Sequence, residues 1–187
     1  DVDDGRSEIR RDQEDRFVNV GIAEQNLINI AAGLALEGGT VFAYAIAPFI
    51  TMRCLEQVRV SLCLLSQLRA MAVTLVGVGA GYSYAVSGPT HQCYEDISIM
   101  RSLPALQVLS PADHVTAAAL FDACRAPGIR YLRLDAQPLP VLADAPPGLS
   151  GLRCLRPGPA RIALVATGFM THTALAVADA PHGQRIV

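Results

Sequence analysis

Neither sign of charge prevails in this 187-residue chain: 15 basic side chains stand against 17 acidic ones, for a formal charge of −2. That balance leaves no basic stripe for nucleic acid, and aromatics at 5% are too scattered to build a base-stacking platform. Paired cysteines are also lacking. Cys54, Cys63, Cys93, Cys124 and Cys154 are odd in number, far apart and never in a CxxC pair. This pattern fits reduced thiols in a cytoplasmic setting better than a disulfide framework or a zinc site. The opening residues, "DVDDGRSEIRRDQEDR", lack the apolar core of a signal peptide. Between Arg69 and Glu95 there is no charge at all, yet Gly77, Gly79, Gly81, Gly88 and Pro89 break the stretch into strand and loop rather than a membrane span. What is present in quantity is apolar: half of the residues, enough for one sizeable core and part of a second domain.

The apolar residues alternate between two periods. "RFVNVGI" reads as a buried strand, and from Ala23 onward Leu27, Ile30, Ala31, Leu34 and Ala35 recur at helical spacing until Gly38 and Gly39. The same alternation predicts a strand over Thr40 to Ala47, a helix from Ile50 to Ser66 and a strand from Met71 to Gly79. A glycine-rich loop, a short helix near Glu95 to Ser102 and a strand in "LQVLSP" follow. A helix from Asp113 to Cys124, opened by Pro111 and Asp113, and a strand in "IRYLRL" complete the series. Nearly continuous apolar strands separated by helices predict an α/β fold, a parallel sheet with helices on both faces. Residues 136–160, rich in proline, read as a linker that divides a first domain (1–135) from the start of a second α/β unit (161–187). In that unit "RIALVATG" is the expected strand and "THTALAVADA" the expected helix.

Ligands of open parallel sheets sit beyond the carboxyl ends of the strands, and Glu24, Phe49 and the loop carrying His91 each follow a strand end. Each has an ordinary reading: Glu24 as a first-turn acid favoured by the helix dipole, Phe49 as a core aromatic, His91 as a loop histidine bonded to backbone. "GVGAG" lacks the lysine and acidic partners of nucleotide loops and reads as a tight strand exit. In "YEDISIMR", Glu95 and Asp96 read as helix-start acids paired with Arg101. Cys93 stands near His91, but that spacing is weak support for a nucleophile.

In their order, "RFVNVGIAEQNLINIAAGLALEG", "FITMRCLEQVR" and "SGPTHQCYEDISIMRSLPALQVLSPAD" resemble the pyrimidine-binding domain of the transketolase family of thiamine diphosphate enzymes. "ARIALVATGFMTHTALAVA" resembles the opening of that family's C-terminal domain, and the likeness is strongest to the separately encoded C-terminal half of split transketolases. The resemblance implies that Glu24 bonds the N1′ nitrogen of the cofactor's aminopyrimidine and favours its imino tautomer, while the cofactor performs the carbon–carbon chemistry. It implies further that Phe49 stacks on that ring, that Arg53 lies near it, and that His91 contacts substrate oxygens as a two-carbon ketol unit passes from a ketose to an aldehyde. The family holds the diphosphate and its Mg2+ on another domain. The implied assembly is therefore a hetero-oligomer, with a companion subunit that carries the diphosphate-binding domain and the metal ligands. Two positions depart from the family pattern: Ser87 replaces an aspartate before the Gly-Pro-Thr-His segment, and Ala136 replaces a phosphate-gripping arginine. Two alternatives stay open at this point. One is the beta subunit of a 2-oxo acid dehydrogenase; the other is a catalytically silent interaction subunit.

Overall fold

A computed structural model describes residues 14–142, 153–158 and 162–180. Its frame is a four-stranded, all-parallel sheet of β1 (Thr40–Ile46), β2 (Ala72–Val78), β3 (Leu106–Leu109) and β4 (Gly128–Leu134), in the order β1-β2-β4-β3. Three helices attach to it: α1 (Glu24–Leu36), α2 (Asp96–Arg101) and α3 (His114–Ala123). A fourth, α4 (Met170–Asp179), follows the proline-rich region.

Strand side chains alternate between the two faces of the sheet, and here both faces are covered. Ala43, Leu75 and Tyr131 lie side by side in register. They belong to one buried cluster with Ile28, Ala31 and Ala35 of α1, with Ile50, Val58 and Leu62, and with Met100 of α2. The alternate positions Phe42, Thr74 and Arg130 face α3, where the Phe121 ring stacks on Phe42 at 4.6 Å. Such a stack contributes about 0.5–1.5 kcal/mol beyond its buried area. Consecutive burial of Val73, Thr74 and Leu75 follows from this double cover, as the unbroken apolar strands predict. Gly77 is needed where it is: a Cβ there would come within 2.6 Å of the Tyr131 ring, which crosses β2 at that point.

Residues 49–67 are helical, as the spacing predicts, but not a plain α-helix. Two π-helical stretches, Phe49–Arg53 and Val58–Leu64, flank a short α turn, and a 3-10 turn (Leu65–Gln67) closes the run. The buried positions Ile50, Cys54, Val58 and Leu62 recur every four residues. On a 3.6-residue turn that row would drift around the helix; the wider i→i+5 turns hold it against the sheet.

Two predicted strands do not form. Residues 17–22 join no ladder, and Ile22 is 92% exposed. Residues 162–167 are likewise irregular, with Ile162 and Val165 exposed. A strand requires a partner edge, and neither segment pairs with β1 or β3, the outer strands of the sheet. The helix predicted after residue 168 is α4. Arg161, the terminal "RIV" and much of the linker lie outside the described residues. No helix among the described residues is long and apolar enough to cross a membrane.

Candidate active site

Glu24 is the first residue of α1. Its N-cap, Ala23, has no side chain able to bond the exposed N–H groups, so the acid stands alone at the positive end of the helix dipole. Phe49 opens the helical run just past the end of β1, after Pro48 has set the entering backbone at φ −62°. The π-helical turn that begins there ends at Arg53 and returns its guanidinium over the Phe49 ring, with Cζ 3.8 Å from the centroid. Nη1 of the same guanidinium donates to Glu24 Oε1 at 2.9 Å. Residues from the ends of two separate elements thus form one niche with an acid floor, an aromatic wall and a planar cation between them.

His91 enters from the loop after β2. Gly79 (φ +76°) and Gly81 (φ +64°) turn the chain out of the strand, which is the tight exit expected of "GVGAG". Reciprocal backbone bonds between Gly81 and Cys93, at 2.7 and 2.9 Å, close the loop. Ser83 ties it to Asp135 by donating to Oδ1 at 3.0 Å. The His91 ring meets Phe49 edge-on at 5.5 Å and Tyr84 at 6.2 Å. Its Nδ1 lies 2.9 Å from the Thr90 hydroxyl, which stands 3.2 Å from the Ser87 carbonyl. When the Thr90 proton goes to the Ser87 carbonyl, Nδ1–H donates to Thr90 Oγ1 and Nε2 is an acceptor; when it goes to Nδ1, Nε2 carries the ring proton and donates. All four residues singled out in the sequence, Glu24, Phe49, Arg53 and His91, therefore meet at one rim.

The thiols behind this rim are inert. Burial, followed by the charge of Glu24, pushes Cys54 up to about 12, and burial raises Cys93 as well. A thiolate nucleophile is not available there at neutral pH. Beneath them, Asp96 does not pair with Arg101, the arginine of its own helix. Its Oδ2 accepts from Arg133 Nε at 2.7 Å and from the Tyr131 hydroxyl at 2.9 Å, and the carboxylate is buried. Spacing along one helix could not show this, because the partners are on β4; the signal is Tyr131 and Arg133, two residues apart and so on one face of that strand. Ser87 and Ala136 are both exposed.

Among the described residues no three His, Cys, Asp or Glu side chains stand close enough to hold a metal ion. A mainly apolar concavity of about 530 Å3 lies apart from the rim, between Ile97, Arg133 and residues 164–177. Its cation, Arg133, is already bonded to Asp96.

Residues 4–140 match the family description "transketolase, pyrimidine binding domain". An apulose-4-phosphate transketolase subunit of Actinobacillus succinogenes is 38% identical over 82% of the chain and 49% of that protein. The 6-deoxy-6-sulfo-D-fructose transketolase subunit SqwH of a Clostridium species is 34% identical over 91% of the chain and 52% of that protein. The chain thus spans about half the length of these curated relatives. A solved structure described as a split gene transketolase, inactive beta4 tetramer, superposes with a TM-score of 0.82 at 32% identity, over all of this chain and 60% of its own.

Proposed function

The chain belongs to the transketolase family through its pyrimidine-binding domain, and from that premise we propose that it serves as one subunit of a split thiamine diphosphate enzyme that moves a two-carbon ketol unit from a ketose to an aldehyde. The observation that carries the reading is the convergence of Glu24, Phe49, Arg53 and His91 from separate elements onto one rim.

The niche suits a planar nitrogen heterocycle, because a planar nitrogen cation already lies in it, over the Phe49 ring and bonded to Glu24. Bound there, thiamine diphosphate supplies the carbanion chemistry that side chains alone cannot. In this reading Glu24 holds a proton at the ring nitrogen and Phe49 fixes the plane of the ring. Arg53 stands beside them, and His91 turns Nε2 toward substrate hydroxyls. We assign the diphosphate and Mg2+ to a companion subunit.

The domain plan (1–135, a linker at 136–160, and 161–187 opening a second domain) and a cytoplasmic location belong to the same proposal. The relatives' names are those of transketolase subunits, which weighs against the 2-oxo acid dehydrogenase alternative. The assembled rim weighs against a silent subunit. One related split transketolase is described as an inactive beta4 tetramer, which supports a need for the companion. No acceptor is assigned, since Ala136 stands where the family's phosphate-gripping arginine would be and Ser87 where its aspartate would be.

The test is to purify the chain with and without candidate companion chains and to titrate thiamine diphosphate and Mg2+ by calorimetry, alongside an assay of ketol transfer. Binding and transfer are expected only in the pair. Tight, Mg2+-dependent binding by the chain alone defeats the split site.

A further inference from the structure

We propose that Arg53 is an internal ligand of the Glu24–Phe49 niche: its guanidinium holds the place of the cofactor's aminopyrimidine, and cofactor entry is an exchange of one planar nitrogen group for another. The inference rests on the reading of Glu24 and Phe49 as the pyrimidine contacts. With Cζ 3.8 Å from the ring centroid, the guanidinium is in van der Waals contact with that face of Phe49, and no second ring can stack there while it stays. With Nη1 2.9 Å from Oε1, it also takes one of the two carboxylate oxygens that could meet a ring nitrogen. Both features a pyrimidine would use are engaged by one side chain.

The two partners of the ion pair differ in their freedom to leave. The Glu24 side chain is 11% exposed and begins a helix, whereas the Arg53 side chain is 48% exposed on a long rotatable stem. The acid is fixed and the cation stands at the mouth. Exchange therefore requires only a change of Arg53 rotamer into solvent, with no movement of α1 or of the helical run. In the meantime the guanidinium compensates a nearly buried carboxylate and covers an aromatic face that would otherwise meet water. An ion pair whose arginine is half in water and a cation–π contact made by that same half-exposed guanidinium are each weak, as a displaceable occupant requires.

The test uses Arg53→Met, which keeps the stem and removes the planar cation, in the pair formed with the companion subunit. Loss of the two weak contacts predicts thiamine diphosphate binding tighter by roughly 3- to 30-fold, with Arg53→Lys between the two. Independently of affinity, nitrogen-15 NMR of the arginine side chains should show slowed rotation of the Arg53 guanidinium in the wild-type chain. That signature should disappear in Glu24→Gln and on adding thiamine diphosphate to the pair. If Arg53→Met binds the cofactor more weakly, or if Arg53 keeps its slow rotation in the loaded pair, the exchange is overturned while the pyrimidine site stands. If neither wild type nor variant binds the cofactor in any pair, the reading of the site fails and takes the exchange with it.

Discussion

Two carboxylate–arginine pairs in this molecule are alike in chemistry and unlike in setting. Glu24 and Asp96 each begin a helix, in neither helix does the N-cap side chain bond the first turn, and each acid accepts from an arginine, at 2.9 and 2.7 Å. Asp96 and Arg133 expose only 1% and 18% of their side chains, and Tyr131 adds a second bond to the same oxygen. Burial and the neighbouring Asp96 charge push the Tyr131 phenol up, so it stays a donor. Arg53, by contrast, is half in water. Separating a buried pair strands a charge where solvent cannot reach it, while separating an exposed one costs little. The same bond is thus a fixed part of the core in one place and a replaceable contact in the other.

The sharpest way to test that contrast is to remove the charge from each acid and read activity and stability separately. Glu24→Gln keeps shape and loses the acid. Its expected effect on the reconstituted pair is a fall in turnover of ~10²–10⁴-fold, the usual range for lost acid–base assistance. Its stability to urea should shift by no more than about 1 kcal/mol. Turnover close to wild type would take Glu24 out of the chemistry. Asp96→Ala should show the reverse emphasis, a loss of about 3–5 kcal/mol in urea unfolding of the chain, because Arg133 is left without its counter-charge. A loss below about 1 kcal/mol would mean that burial does not distinguish the two pairs.

The contrast also marks how far sequence alone reaches. The alternation of strand and helix between residues 24 and 134 is legible, since period-2 and period-3.6 apolar patterns record which face each element buries. Phe49 and His91 are legible as residues in the segments that leave β1 and β2, Glu24 as the acid that opens α1 although the strand read before it does not form, and Arg53 through the family likeness of its segment. Residues 17–22 and 162–167 mislead because an apolar run reports a tendency to be buried and does not name the partner; neither segment finds a strand to pair with. The π-helical turns at 49–53 and 58–64 are hidden in a four-residue spacing that an ordinary helix also shows. Read from the sequence, Asp96 is given the arginine at the end of its own helix, Arg101, although five positions place the two on different faces; its partner is Arg133, 37 positions away along the chain. Such pairings depend on the order of strands in the sheet, which local spacing does not contain.

A third acid completes the series with the smallest effect, and its contribution depends on pH. Asp113 is the N-cap of α3: Oδ1 accepts from the Thr116 backbone N–H at 2.7 Å, and Oδ2 accepts from the Leu142 N–H at 2.8 Å. One carboxylate thus joins the first turn of α3 to the chain leaving β4. Burial alone would raise its pKa. The bonds from Leu142 and from the Thr116 hydroxyl and backbone, with the charge of His114, outweigh burial and leave it below the ordinary carboxylate value. A depressed folded-state pKa means stability that is fully present above the unfolded value, about 3.9 for aspartate, and lost as pH falls through the lower folded value. Asp113→Ala should therefore cost about 1 kcal/mol near pH 7. The gap in urea midpoint between wild type and variant should narrow below about pH 4 as the wild-type carboxylate takes up its proton. Asp113→Asn, whose amide oxygen can still cap the helix, should lose much less at neutral pH. A gap that widens on acidification would show that the carboxylate is not held by these donors, and that the junction of α3 with the chain beyond β4 depends on packing such as the Phe42–Phe121 stack.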